Sequence, residues 1–207
     1  AAMLLRQAFE RPSWKGEVIV FSGNTDCYQP VEASLELTRA CLEVCAEYRN
    51  PVAIITKGVL VQRDLDVLKR LHQEAWLRVY FSIPFADEEV ARRVEPQAPT
   101  SRKRFDAMAR LSEAGISTGI SISPIIPGLN DEDIPELLQR ARQAGASEAM
   151  STLLRLAQSV EAVFVERMSE AFPERFAKMA HRIQEVRGGA MTDGAFFSRH
   201  HGVGPYW

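Results

Sequence analysis

The feature that most constrains this chain is a recurring two-part unit, an apolar run of strand length followed by a stretch of helical period. EVIVF (17–21), PVAIIT (51–56), WLRVYFSI (76–83), ISTGISISPI (116–125) and SEAMSTLLRL (147–156) read as strands. The intervening stretches at 30–48, 61–75, 87–95, 101–115 and 133–145 read as helices. Pro30 suits a first helical turn, Leu65, Leu68 and Leu71 lie near one face, and Gly115 and Gly145 are natural stops. Residues 159–187 are also helical in pattern, interrupted near Pro173. Units of roughly 30 residues imply parallel strands joined by right-handed crossovers, hence an α/β fold. Two architectures satisfy the pattern, an open doubly wound sheet and part of a (β/α) barrel.

A chain of 207 residues can bury a real core. Its net charge of −2 exerts no general pull toward nucleic acid or anionic lipid, although a local basic groove stays open. No segment approaches the roughly 20 apolar residues that span a bilayer, so no membrane partner is expected. The opening AAMLLRQAFERPSWKG is too short in apolar residues for a signal peptide. Three cysteines are an odd number, which disfavours a disulfide framework, and the expected location is the reducing cytoplasm.

In either architecture ligands bind at the carboxyl ends of the strands. Those ends carry Ser22, Asn24, Thr25 and Asp26, then Lys57, Ser82, Ser121 with Ser123, and Thr152 with Arg155. Five polar strand ends can converge on one small molecule, or simply pass into solvent. Lys57 follows a wholly apolar run and can reach a carboxylate or phosphate as a point charge; it can also be a solvated terminus. Asp26 either accepts hydrogen bonds from a ligand or closes a turn in SGNTDCYQP.

SGNTDCYQPVEASLELTRACLEV, PVAIITKG, SIPFADEEVARRVEPQAPTSRKRFDAMARLSEAGI, SPIIPGLND, LLRL and RIQEVRGG together resemble the radical S-adenosylmethionine proteins related to spore photoproduct lyase, the DNA repair photolyase-like proteins. The resemblance runs from about Trp14 to the terminal GPYW. It implies a partial (β/α)6 TIM-type barrel forming a single incomplete domain over 1–207, with an irregular tail from about 188. It further implies S-adenosylmethionine across the strand ends, bound to a 4Fe–4S cluster and cleaved to a radical that abstracts hydrogen. By resemblance Thr25 and Asp26 belong to the polar motif after the family's second strand, and the neighbouring Asn24 is counted with them as a candidate cofactor contact. Lys57 matches a lysine that contacts the cofactor, Ser82 a serine near its ribose, and Ser123 a backbone position near the adenine.

The family's cluster is held by three cysteines spaced C-x3-C-x2-C after its first strand, and this sequence contains no such motif. Its first strand matches the family's second, so the first β/α unit is expected to be missing, leaving a barrel edge open to self-association. Cys41 and Cys45, four apart on an expected helix, read as a buried pair rather than metal ligands. Cys27 sits beside the expected site, but the related lyase's hydrogen donor aligns nearer Gly23. His200 and His201 are adjacent and poorly placed to chelate one metal, so no metal ligand is assigned. Three readings follow: the later portion of a radical enzyme acting on an unread substrate, a cluster-less module binding S-adenosylmethionine, a nucleoside or a protein, and an inactive fragment. Nucleic acid is a possible partner that the charge balance does not support.

Overall fold

The computed structural model describes residues 1–22, 24–192, 204 and 206; Gly23, His200 and His201 lie outside the described residues. In chain order the elements are α1 (Ala2–Phe9), β1 (Ile19–Phe21), α2 (Glu32–Leu35), α3 (Leu37–Glu47), β2 (Val52–Thr56), α4 (Leu65–Glu74), β3 (Leu77–Ser82), α5 (Glu88–Val94), α6 (Ser101–Glu113), β4 (Thr118–Ile125), α7 (Ile134–Gln143), β5 (Glu148–Leu153), α8 (Glu161–Ala171) and α9 (Pro173–Val186). The five strands form one parallel sheet in the order β1-β2-β3-β4-β5.

That order decides between the two architectures. A doubly wound sheet reverses its strand order and carries helices on both faces. Here every crossover advances to the next neighbour, and right-handed crossovers in one direction place their helices on the same face. The α/β chain therefore follows the winding of a partial TIM-type barrel. On the helix-covered face Val52, Ile54, Leu77, Val79, Phe81, Ile120 and Ile122 are buried against Leu42, Leu68, Leu71, Met108, Leu111 and Leu137. The opposite face mixes Ala53, Ile55 and Met150 with polar groups: Tyr80 donates to Glu148 Oε2 (2.5 Å), and Arg78 pairs with Glu148 (2.6 Å). Among the described residues β1 pairs on one side only, with Val18 and Val20 exposed beside that edge.

Local chemistry sets the helix ends. Asp87 caps α5 by accepting from the Glu89 and Val90 amides, and Thr100 caps α6 through Lys103 N–H. Gly115 and Gly145 end α6 and α7 in left-handed conformation, with the Ile116 and Ala146 amides returning to Leu111 and Ala141 carbonyls. The continuous helix expected over 30–48 is instead two, broken at Glu36 (φ 49°). The cause is Glu32, buried at 4% exposure, whose carboxylate accepts from Thr38 and Arg39 N–H and so caps α3. The sequence reading did not anticipate α1, whose end packs Phe9 against Trp14 and Tyr48 at 5.2 and 5.3 Å.

A second apolar cluster lies where the chain leaves β3 and β4. Phe85, Ile126 and Leu129 from those loops meet Met168, Phe172, Met179 and Ile183 of the α8–α9 region. Asn130, fully buried, accepts from Ile126 N–H (2.6 Å) and donates to the Pro84 and Pro124 carbonyls, fastening the two loops together. No helix among the described residues is long and apolar enough to cross a membrane.

Candidate functional site

The carboxyl ends of β1, β2 and β3 open onto a concavity of about 220 Å³. Asn24, Thr25, Asp26, Lys57 and Ser82 all line it, together with Ser22, Ile55 and Thr56. Ser123 does not line it but stands one bond behind: Ser82 Oγ donates to the Ser123 carbonyl (3.4 Å), and Ser121 Oγ donates to Ser123 Oγ (3.2 Å). The Ser123–Pro124 peptide is cis. Thr152, on the last strand, and Arg155 are not among the lining residues.

Asp26 closes a turn and also lines the concavity. Its Oδ1 accepts from Tyr28 N–H (2.8 Å) and Thr56 hydroxyl (2.6 Å), and its Oδ2 accepts from Lys57 N–H (2.6 Å). The carboxylate thus staples the β1 loop to the end of β2. Thr25 accepts from the Gln29 side-chain amide, and Ser22, in left-handed conformation at φ 85°, accepts through Oγ from Cys27 N–H. The loop lies so close to β2 that a Cβ on Gly58 would stand 2.7 Å from Tyr28 Cβ and from its carbonyl oxygen. Glycine is required there by close approach.

Behind the loop is a buried ionic network. Asp64, at 0% exposure, accepts from the Tyr28 hydroxyl (3.0 Å), Arg39 (3.1 Å) and Arg63 (2.8 Å); Arg63 also reaches Glu32 (3.0 Å). Each buried carboxylate is met by a guanidinium, which is what makes charge tolerable at this depth. Burial, with Asp64 adding to it, pushes the Tyr28 phenol far above its ordinary range. Burial also pushes the Cys27 thiol up to about 12, an effect that nearby Asp26 and Glu32 reinforce.

Lys57 is answered by the chain itself. Its ammonium pairs with Glu95, and the other oxygen of Glu95 accepts from Arg104 Nη2 (2.9 Å). Arg104, at 1% exposure, also donates to the Ser82 carbonyl (2.7 Å) and the Pro99 carbonyl (2.8 Å). Glu95 and Arg104 were not singled out from the sequence. Residues 96–99, which intervene between α5 and α6, bring them together, and no local pattern marks that pairing.

The residues present do not fit a 4Fe–4S cluster. Cys41 and Cys45 lie on α3, and burial raises both thiols, Cys45 to about 12. Cluster ligation requires three thiolates converging on one centre, whereas two of the three cysteines lie on α3 and the third in the loop after β1. Among the described residues no group of three or more His, Cys, Asp or Glu side chains is placed to hold a metal ion.

Comparison with known proteins gives this strand-end geometry its context. The model of the Radical SAM superfamily matches residues 1–141. An uncharacterized protein of Mycobacterium tuberculosis is 31% identical over 175 residues, which is 84% of this chain and 52% of that protein. An uncharacterized protein of Methanocaldococcus jannaschii is 36% identical over 117 residues, 56% of this chain and 43% of its own length. A Pseudomonas phage M6 protein named radical SAM Nalpha-GlyT isomerase is 24% identical over 172 residues, 82% of this chain and 35% of its own. The chain spans about half the length, or less, of these relatives. With a family model covering more than half of its residues, the chain belongs to the radical S-adenosylmethionine superfamily.

Proposed function

We propose that this chain supplies the cofactor-facing later strands of a radical S-adenosylmethionine enzyme, binding S-adenosylmethionine at the carboxyl ends of β1–β3. The observation that carries this reading is the convergence of Asn24, Thr25, Asp26, Lys57 and Ser82 on one concavity. In this reading Lys57 meets the carboxylate of the ligand as a point charge. Ser82 and the Asn24–Thr25 segment serve its ribose, and Ser123 marks the adenine side. Asp26 acts indirectly by holding the loop on β2. S-adenosylmethionine supplies the radical precursor of the family; the cluster that family chemistry requires is not held by the described residues of this chain.

Calorimetric titration of the 207-residue chain with S-adenosylmethionine tests the reading. A saturable heat that Lys57→Ala weakens about tenfold, in line with the loss of one charge-assisted contact, supports it. No heat at millimolar ligand overturns it.

A second reading, a cluster-less module that binds the same nucleoside without radical chemistry, rests on the absence of cluster ligands among the described residues. Anaerobic assay for 5′-deoxyadenosine with the full-length protein that carries this sequence separates the two. Product supports the enzyme, whereas tight binding without product supports the module.

A further inference from the structure

We infer that Glu95 is a positioning residue of the strand-end site, holding the Lys57 ammonium for an anionic oxygen group of the ligand. This rests on the reading that the concavity binds a ligand. Lysine carries its charge on a flexible four-carbon stem with roughly 2 kcal/mol of rotamer entropy. Here that stem ends on a carboxylate that is itself immobilised. Glu95 has 11% side-chain exposure and Arg104 has 2%. Arg104 is locked by the Ser82 and Pro99 carbonyls, and the start of its helix is held by the Glu88 carboxylate, which accepts from the Ser101 and Arg102 amides (3.0 and 2.7 Å). A continuous polar path therefore runs from the end of β3 through Arg104 and Glu95 to Lys57 at the end of β2.

The charge balance indicates what the arrangement is suited to hold. Arg104 alone compensates Glu95. Lys57 is then the one cation among the described residues lining the concavity, and Asp26, the one carboxylate there, is already met by the Tyr28 N–H, the Thr56 hydroxyl and the Lys57 N–H. An ammonium has three donors, and the pairing with Glu95 leaves donors for another acceptor. Lys57 also lines the concavity, whereas Glu95 does not. The ligand group that fits is a carboxylate or phosphate bound by a pre-placed cation.

Two measurements on the full chain test this. In the first, S-adenosylmethionine is titrated into the parent chain, Glu95→Gln, Lys57→Ala and the double variant. Glu95→Gln should weaken binding about fivefold, the scale of one lost ordering contact, and add nothing in the Lys57→Ala background. An equal loss in both backgrounds would assign Glu95 a merely structural role, and no loss in either would also overturn the inference. In the second, acylation of lysines by an amine-reactive ester is followed by peptide mass spectrometry. Lys57 should react about threefold faster in Glu95→Gln, as expected for release from one ion pair, with other lysines unchanged. If the parent chain shows no heat with S-adenosylmethionine, the cofactor reading fails, and the acylation rate alone decides whether Glu95 holds Lys57. An unchanged rate overturns it.

Discussion

Asp26 shows how one carboxylate can fasten a loop to a strand end. Three donors converge on it, from Tyr28, Thr56 and Lys57. Asp26→Asn replaces one acceptor oxygen with a donor, leaving at least one of these groups without its partner. The expected cost is about 1–3 kcal/mol, read as a lower urea midpoint, together with weaker S-adenosylmethionine binding. The buried thiols make a separate prediction about alkaline stability. Cys27 and Cys45 are raised from 9.0 to about 12 in the fold. The unfolded chain therefore releases these protons first. The stabilisation is fully present below about pH 9 and is lost as pH rises toward 12, at up to about 1.4 kcal/mol per pH unit for each thiol. Tyr28, raised in the same direction, adds to the decline above its ordinary value of 10. Urea midpoints measured across the alkaline range should fall, and the slope should be shallower in Cys45→Ala. A midpoint independent of pH would contradict the burial of these groups.

At the scale of elements, side chains from one segment set the shape of another. The helical period over 30–48 is real, yet Glu32 turns back to cap Leu37–Glu47 and Glu36 becomes left-handed. The period carries no information about a buried carboxylate choosing amides six and seven residues ahead. Gly58 is the equivalent point for the site. Its Cβ position is occupied by Tyr28, so Gly58→Ala must push the β1 loop off β2. The expected loss is about 1–3 kcal/mol of stability, read by thermal denaturation. Weaker S-adenosylmethionine binding should accompany it, because the same loop carries Asn24, Thr25 and Asp26. An Ala variant with parent stability and affinity would show that the close approach is not maintained in solution.

At the scale of the whole molecule, the parallel sheet brings strand ends from three separated segments to one concavity, with Cys27 in the adjoining loop while Cys41 and Cys45 stay on α3. Anaerobic reconstitution of the 207-residue chain with iron and sulfide is expected to leave well under one 4Fe–4S cluster per chain, read by iron analysis and absorption. Stoichiometric incorporation would overturn the donor-set argument. Much of this architecture is legible in the sequence. Strand and helix alternation follows from apolar periodicity, the stops at Gly115 and Gly145 from glycine chemistry, and the polar strand ends from their position after apolar runs. These are local properties, so local patterns report them. Periodicity could not choose between a doubly wound sheet and a barrel, because both present the same alternation to a one-dimensional reading. Strand order made that choice. Tertiary structure alone also decided that Asp26 is a clamp, that Ser123 stands behind Ser82, and that Lys57 is met by Glu95. Each depends on groups brought together across separate segments, 31 residues apart for the Asp26–Lys57 bond and 41 for Ser82–Ser123. Contacts of that reach arise only once the sheet has assembled.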